Sequence, residues 1–360
     1  MTPTATVPKP YPKETTPVRH EQFERAVEII RADTVESVHY AAAAVVDHTG
    51  KLIASLGDPD YVTFSRSSLK PFQALPAVMR GFPERFGLTE RHLAVACASH
   101  SGESRHTQAA QEILDAINAS VSDLQCGTHV PIYLNSGDDA IPPKSDFSAI
   151  HNNCSGKHST MLALSQILDA PLAEYLKYDG AVQSVIREAI CELLDLRPDD
   201  MTWGIDGCSA PNYSLPISSL ATGFARLAWA STQPLERLTD VQRAGAKIAR
   251  AMMKHPEMIS GVGRFDLELV EAAGKTIFSK VGAEGLECVG IPSKGYGVIV
   301  KIADGSPRAL APIVVSILTE LGVLDAAAQK RLESAARPRM KNVRGTEIGT
   351  ARCVSRLHWV

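Results

Sequence analysis

The feature of this sequence that most limits its fold is the placement of strand-like segments, which are concentrated at the two ends of the chain. Near the amino end, the apolar runs 40–46 and 52–56 flank a turn signal, Asp47-His48-Thr49-Gly50, which predicts a β-hairpin. Further strands are predicted towards the carboxyl end, at 276–281, 286–291 and 296–302. We therefore expect one antiparallel sheet that is built from both the N-terminal and the C-terminal segments.

The middle of the chain has apolar residues at helical spacing, which predicts helices over 157–168, 181–196, 215–230 and 241–253. One short apolar run, His92–Ala98, is interpreted as a strand that ends in a polar loop. The expected fold class is α/β (α+β), an antiparallel sheet flanked by helices with a helical insert. We expect a flexible Pro/Thr-rich arm at residues 1–20, followed by a single catalytic unit at residues 21–360. Within this unit, we expect a sheet subdomain at about 21–66 plus 265–360 and a helix-rich subdomain at about 67–264.

Composition excludes several classes of protein. The 40 acidic and 37 basic residues leave a net charge of −3, which offers no surface for a nucleic acid. No apolar run approaches the length of a membrane-spanning helix, and the proline-rich start has no signal-peptide pattern. The seven cysteines are odd in number and irregularly spaced, unlike a disulfide framework. We expect a cytoplasmic protein that binds neither membrane nor nucleic acid.

The first candidate for catalysis is Ser67 with Lys70, which lie one helical turn apart near a predicted helix start. A lysine that has lost its proton can activate a serine hydroxyl, as in S-x-x-K acyl-transfer enzymes. The same spacing also arises by chance, as an N-cap serine and a surface lysine. A second polar cluster, around Ser99, follows an apolar run, and Lys280 lies on a predicted strand before a glycine turn. Each of these segments can also be an ordinary turn.

A third group of residues suits a metal. Cys154, Lys157 and His158 share one face of a predicted helix, and Cys208 lies in a loop after a short strand. Two thiolates and a nitrogen are donors that zinc prefers, although neither cysteine has the C-x-x-C spacing of a strong zinc motif. Two buried free cysteines or a redox pair remain alternatives. Ser155-Gly156-Lys157-His158 lacks the spacing of a phosphate-binding P-loop, so ATP binding has no support.

Six separated blocks together resemble the rhizobial-type (class 3) L-asparaginase II family over about residues 40–324. They occur in the order FSRSSLKPFQ, CASHSGE, NNCSGKHS, IDGCSAP, HPEMISG and FSKVGAEG. The resemblance implies a fold like that of serine β-lactamases and serine-dependent glutaminases. It also implies a homodimer that hydrolyses L-asparagine to L-aspartate and ammonia, with a zinc site that is not necessarily essential.

The resemblance also assigns roles to residues of this sequence. It implies two Ser–Lys tandems, Ser67 with Lys70 and Ser99 with Lys280. It implies a metal site formed by Cys154, Lys157 and Cys208. The residues that it implies hold the substrate or surround the metal are Arg66, His158 and Asp206.

The mechanism expected from these residues is attack by Ser67 on the side-chain amide of asparagine, with Lys70 as the general base. Ser99 and Lys280 would complete the proton path or activate the deacylating water. The reverse assignment, with Ser99 as the nucleophile, remains open. Alternatives are a penicillin-recognising or glutaminase-type serine amidohydrolase and, from another class, a non-catalytic zinc or amino-acid binding protein.

Overall fold

A computed structural model describes residues 19–136 and 143–360, so the predicted arm at residues 1–20 lies almost wholly outside the described residues. The strands are β1 (Glu24–Arg31), β2 (Thr34–Asp47), β3 (Leu52–Leu56), β4 (Val62–Phe64), β5 (Thr202–Ile205), β6 (Pro211–Pro216), β7 (Phe278–Gly282), β8 (Leu286–Ile291), β9 (Tyr296–Ile302), β10 (Arg339–Lys341), β11 (Glu347–Cys353) and β12 (His358–Trp359). The α-helices are α1 (Lys70–Met79), α2 (Glu90–Ala96), α3 (Ser104–Ala116), α4 (Ser155–Ile167), α5 (Ala181–Leu194), α6 (Ile217–Ser231), α7 (Asp240–Lys254), α8 (Phe265–Ala272), α9 (Leu310–Glu320), α10 (Ala326–Arg331) and α11 (Glu333–Ala336).

The chain divides by its contacts into two compact units. The sheet unit comprises the described residues of Thr16–Ser68, Leu215–Trp229 and Glu268–Val360. The helical unit comprises the described residues of Leu69–Ser214 and Ala230–Leu267. Contacts thus group residues 215–229 with the sheet, whereas the sequence placed them in the helix-rich part. The domain organisation expected from the sequence stays a prediction.

The sheet unit is built around an antiparallel sheet with the strand order β10-β11-β1-β2-β9-β8-β7. Strand β3 pairs with β2, and β12 pairs with β3. The central residues of β2, Ala41–Val46, are completely or almost completely buried, as expected for a strand that is covered on both faces. Strands from both ends of the sequence therefore share one antiparallel sheet, and this prediction is confirmed.

Helices cover the sheet within the same unit. Helix α9 packs on β1, β8, β9 and β11. Helix α6 approaches β9 so closely that a Cβ atom at Gly297 would lie 2.0 Å from the carbonyl oxygen of Ala221. Only a glycine fits at this crossing, because backbone packs directly on backbone.

The helical unit is a cluster in which α1 contacts α4, α5 and α7, while α2 packs on α3, α4 and α7. The run His92–Ala98 belongs mainly to helix α2, so its assignment as a strand was wrong. Residues 92–98 are buried all round, which removes the periodicity that distinguishes a helix from a buried strand. None of the helices in the part of the chain that the structure describes is long and apolar enough to cross a membrane.

Candidate active site

A buried lysine and a buried serine meet in the helical unit. Lys70 is the first residue of α1, and its side chain is 1% exposed. Its Nζ atom lies 2.9 Å from the Oγ atom of Ser99, which is 3% exposed. The same Nζ donates to the carbonyl oxygens of Ala98 at 2.5 Å and Asn153 at 3.4 Å. The structure therefore joins Lys70 directly to Ser99, a pairing that the sequence did not predict.

These three oxygens accommodate both protonation states of Lys70. An ammonium group has three N–H donors and can donate to all three oxygens, whereas a neutral amine has two donors and one lone pair. The two carbonyl oxygens can only accept, so the lone pair of the neutral amine is left for the Ser99 hydroxyl, which then donates. Proton transfer between Ser99 and Lys70 thus requires no rearrangement of the backbone.

The loop after Ser99 is held by backbone hydrogen bonds to a second loop of the helical unit. The Ser99 N–H donates to the carbonyl oxygen of Ile259 at 2.8 Å, and the Ser101 N–H donates to that of Ser260 at 2.7 Å. Arg264 donates from Nη1 to the carbonyl oxygen of Ser99 at 3.4 Å. The segment HPEMISG, which the sequence identified only as part of the resemblance, therefore supports the loop that carries Ser99.

Ser67 lies in the 3₁₀ turn Arg66–Leu69, which precedes α1. It is half-buried, and its hydroxyl makes no hydrogen bond with any residue of the described ranges. The preceding residue, Arg66, has a φ of +48°, a left-handed conformation that costs a non-glycine residue about 1–3 kcal/mol. Strain of this kind concentrates at functional sites. Arg66 also forms an ion pair of 3.7 Å with Glu284 of the same unit.

Lys280 lies on β7 in the sheet unit and is completely buried. Its Nζ atom donates to the carbonyl oxygen of Val281 at 2.8 Å. A Cβ atom at Gly282, two residues along β7, would lie 3.2 Å from the carbonyl oxygen of Ser65. Alternate residues of a strand share a face, so Lys280 is on the face of the sheet that carries the turn with Arg66 and Ser67.

The predicted metal ligands also converge, all within the helical unit. Cys154 immediately precedes α4, Lys157 lies in its first turn, and Cys208 lies in the loop between β5 and β6. The Nζ atom of Lys157 donates to the Sγ atom of Cys208 at 3.0 Å, and all three side chains are at most 4% exposed. We call these three residues the thiol cluster.

The two thiols of this cluster differ in how readily they ionise. The neighbouring Cys154 thiol, together with the charge of Lys157, lowers the pKa of Cys208 well below its usual range despite burial. The neighbouring Cys208 and burial raise the pKa of Cys154 well above its usual range. Burial opposes a charge on Lys157, but the two sulfurs outweigh this and raise its pKa. Within the cluster, ionisation is therefore favoured at Cys208 and opposed at Cys154, and Lys157 is held in its protonated form.

His158 is completely buried beside this cluster, with no ring atom open to a bound molecule. Its Nδ1 atom lies 2.7 Å from the hydroxyl of Tyr175, whose oxygen already accepts the N–H of Gln125 at 2.7 Å. The hydroxyl hydrogen is thus available to Nδ1, which leaves the proton of the neutral ring on Nε2. Burial lowers the pKa of His158 to about 4, although the neighbouring Cys208 acts in the opposite direction.

Asp206 begins the loop that carries Cys208. It is half-buried, and its Oδ1 atom accepts the N–H of Gly207 at 2.9 Å. Its charge also favours the protonated form of Lys157. Among the described residues, no group of three or more His, Cys, Asp or Glu side chains could hold a metal ion. The thiol cluster offers two residues of those types and an amine.

Several residues at this site were not singled out from the sequence. Asn153, Ser155 and His100 surround Lys70, Ser99 and Cys154, and they belong to the CASHSGE and NNCSGKHS blocks, so the motifs contained the signal. Tyr175 lies outside every block and had no local signal. The structure thus brings together Lys70 and Ser99, and also the thiol cluster with His158, in the helical unit. Arg66, Ser67 and Lys280 are in the sheet unit.

Among solved structures, a β-lactamase from Mycobacterium bovis is 16% identical, with 82% of this chain and 95% of that chain covered and a TM-score of 0.40. The protein Mglu is 14% identical, with 79% and 67% covered and a TM-score of 0.36. At these TM-scores the likeness carries no argument, and the fold class rests on the sheet described above. The comparison with curated proteins gives no match.

The family model for L-asparaginase II matches residues 27–353, which is nearly all of the chain after its first segment. This match spans all six blocks, from the segment with Ser67 to the segment with Lys280. It confirms the resemblance that the blocks predicted. The chain belongs to the L-asparaginase II family.

Proposed function

We propose that this protein is an L-asparaginase, which hydrolyses the side-chain amide of L-asparagine to L-aspartate and ammonia through a serine acyl-enzyme. Membership of the family supports a serine amidohydrolase with an amino-acid substrate. The observation that carries the proposal is the buried contact of 2.9 Å between Lys70 Nζ and Ser99 Oγ. A lysine held in this way against a hydroxyl can exchange a proton with it, as acyl transfer requires.

In the proposed reaction, the Oγ atom of Ser67 attacks the carboxamide carbon of asparagine, and Lys70 takes the hydroxyl proton. The tetrahedral intermediate collapses when its C–N bond breaks and the departing nitrogen takes the proton from Lys70, which releases ammonia and leaves a β-aspartyl ester on Ser67. Water then attacks the ester and gives a proton to Lys70. The bond between the acyl carbon and Ser67 Oγ breaks as Oγ takes that proton, which releases aspartate and regenerates the serine. Ser67 is chosen as nucleophile because its half-buried hydroxyl makes no hydrogen bond within residues 19–136 and 143–360, whereas Ser99 is enclosed and bonded to Lys70.

The remaining residues have supporting roles in this proposal. Ser99 passes the proton to and from Lys70, and Lys280 acts on the same path during deacylation. Arg66 binds the α-carboxylate of the substrate, for which a guanidinium group is suited. Asp206 binds the α-amino group. His158, which is buried beside the thiol cluster, surrounds the metal in this proposal and does not hold the substrate.

The thiol cluster fits zinc as a donor set, because two buried sulfurs and an amine nitrogen already converge. Cys154, Lys157 and Cys208 would hold the ion, and Cys154 and Lys157 must lose their protons to do so. Zinc bound there supplies a fixed positive charge and a cross-link between α4 and the loop after β5. Homodimer formation and a cytoplasmic location are also part of the proposal, and both rest on the family resemblance.

The test is an ammonia-release assay on asparagine and glutamine, with and without a chelator, for the wild-type protein and the Ser67→Ala variant. Turnover of asparagine that is abolished in a folded Ser67→Ala variant is the expected result. Wild-type-like turnover in that variant would move the nucleophile to Ser99. Preference for glutamine, or hydrolysis of nitrocefin without asparaginase activity, would replace the substrate class. Equimolar zinc binding with no amidase activity would instead indicate a binding protein.

A further inference from the structure

We propose that His100 is a positioning residue, which holds the Lys70–Ser99 pair in place by joining the loop that carries Ser99 to the first turn of α4. This inference rests on the proposed function, because it concerns how the proposed base and its serine partner are kept in contact. It links the pair to the thiol cluster, since the same turn carries Cys154 and Lys157.

The imidazole of His100 makes the first link. Its Nδ1 atom accepts the N–H of Gly102 at 3.1 Å, so the proton of the neutral ring is on Nε2. That Nε2 donates to the Oγ atom of Ser155 at 3.0 Å. Both His100 and Ser155 are completely buried. One side chain therefore fixes the shape of the loop that begins at Ser99 and ties it to α4.

The carbonyl oxygen of Asn153 makes the second link. It accepts the backbone N–H of His100 at 3.2 Å and the Nζ atom of Lys70 at 3.4 Å. The Asn153 side chain reaches the other way, where its Oδ1 atom accepts from the Sγ atom of Cys154 at 3.4 Å. A displacement of Cys154 thus moves the Asn153 side chain and, through it, the backbone carbonyl oxygen of Asn153 that Lys70 and the Ser99 loop share.

Backbone packing makes the arrangement stiff. A Cβ atom at Gly156 would lie 2.3 Å from the carbonyl oxygen of Val95, so the first turn of α4 rests directly on α2. Helix α2 ends at Ala96, three residues before Ser99. The first turn of α4 therefore contacts the Ser99 segment through helix backbone as well as through His100, and it cannot shift without moving that segment.

Burial and the neighbouring positive groups lower the pKa of His100 well below its usual range, so the ring is neutral near pH 7. A charged ring would place an N–H at Nδ1 against the N–H of Gly102, and that hydrogen bond would be lost. The ring also stacks on His106 with a centroid distance of 5.0 Å. Any substitution of His100 loses this stacking, so the experiment needs two variants that both lose it.

The variants His100→Gln and His100→Asn meet this need. A glutamine amide nitrogen can reach the place of Nε2 and donate to Ser155, whereas the asparagine amide ends near the place of Nδ1. We expect His100→Asn and Ser155→Ala to lower kcat about 10–100-fold, as outer-shell partners do, with little change in KM. His100→Gln is expected to recover most of kcat. Equal kcat values for the glutamine and asparagine variants would overturn the proposal, since ring packing alone would then explain the loss.

A spectroscopic measurement keeps this inference separate from the proposed function. In protein labelled with ¹³C at the lysine ε-carbon, the Lys70 signal is identified by its loss in Lys70→Met. The Cys208→Ser substitution is expected to move this signal in the wild-type and His100→Gln backgrounds, and to move it less in His100→Asn. If this pattern appears in a protein that hydrolyses no amide, His100 remains a positioning residue and the proposed function fails. If Cys208→Ser has the same effect in all three backgrounds, the inference fails whatever the activity.

Discussion

Replacing Lys70 by methionine separates the chemical role of this residue from its structural role. Methionine keeps most of the apolar stem but removes the amine that touches Ser99 and two carbonyl oxygens. Loss of a general base typically costs about 10²–10⁴-fold in rate, so we expect kcat for ammonia release to fall by that factor. The protein should remain folded, because the structural cost is small.

The structural cost follows from the partners of Lys70. The Ala98 carbonyl oxygen loses its hydrogen bond from Nζ, which costs about 1–3 kcal/mol in a buried site. The Asn153 carbonyl oxygen keeps the N–H of His100, and the Ser99 hydroxyl can rotate. Methionine has no amine that must be removed from water on folding, which offsets part of the loss, so a net destabilisation of about 1–2 kcal/mol is expected. This corresponds to a fall of roughly 1–3 °C in Tm for a chain of this length.

Lys301→Met is the matched control for this experiment. Lys301 is also a buried lysine whose Nζ atom donates to two carbonyl oxygens, those of Glu284 and Ile302, and it has no serine partner among the described residues. It should lose a similar amount of stability in thermal unfolding but keep most of kcat. Normal ammonia release from Lys70→Met would refute the role of Lys70 as the base. An equal loss of kcat in Lys301→Met would show that the loss comes from destabilisation.

Three further changes test other parts of the site. Arg66→Gly relieves a left-handed conformation, but the entropy of glycine and the lost ion pair with Glu284 offset the gain, so we expect little change in Tm. Loss of the guanidinium group should raise the KM for asparagine about 10–100-fold, and an unchanged KM would contradict a role of Arg66 in binding the α-carboxylate. Cys208→Ser should weaken zinc binding in calorimetric titration by more than the roughly 10–100-fold that is typical of an outer-shell residue. Cys126→Ser is the control and should not weaken zinc binding to this extent, because Cys126 is a neighbouring buried thiol whose pKa is raised to about 12, which disfavours the thiolate that binds a metal. The pKa of His158 is lowered from 6.5 to about 4, so the unfolded chain binds a proton before the folded protein does as pH falls through this range, and the free energy of unfolding should decrease by up to about 3 kcal/mol. Urea unfolding at pH 7.5 and pH 5 should show a larger loss of stability in the wild type than in His158→Gln. Equal losses would count against this effect of burial.

The fold was predicted best where short-range patterns decide it. The hairpin around Asp47–Gly50 and the late strands β7 to β9 have apolar runs bounded by turn residues, and both appear as predicted. The run His92–Ala98 was misread because a segment buried on every side has no polar face to show its period. Strands β10 and β11 were not predicted, because they are only partly buried, lack a continuous apolar run, and pair with distant strands.

The candidate site follows the same division. Spacing along one helix placed Cys154 beside Lys157, and the loop after a short strand offered Cys208 as a third donor. The structure brings these three side chains together, whereas their role as metal ligands stays a prediction. The contact between Lys70 and Ser99 was not predicted, because these residues lie 29 positions apart and meet only through the packing of α1 against the helices around it. Tyr175 acts through one hydroxyl on His158, and a single tyrosine in a loop has no pattern that spacing could reveal.

The sharing of one sheet by both ends of the chain has a consequence for biosynthesis. Strands β1 to β3 leave the ribosome first, but the partners of β2 and β1 in β9 and β11 are made only after the whole helical unit. The early hairpin must therefore wait with open edges while the helical unit is translated, and such edges invite pairing with other chains. The sheet can close only when β9 and β11 emerge, so the nascent chain is most vulnerable to aggregation until then.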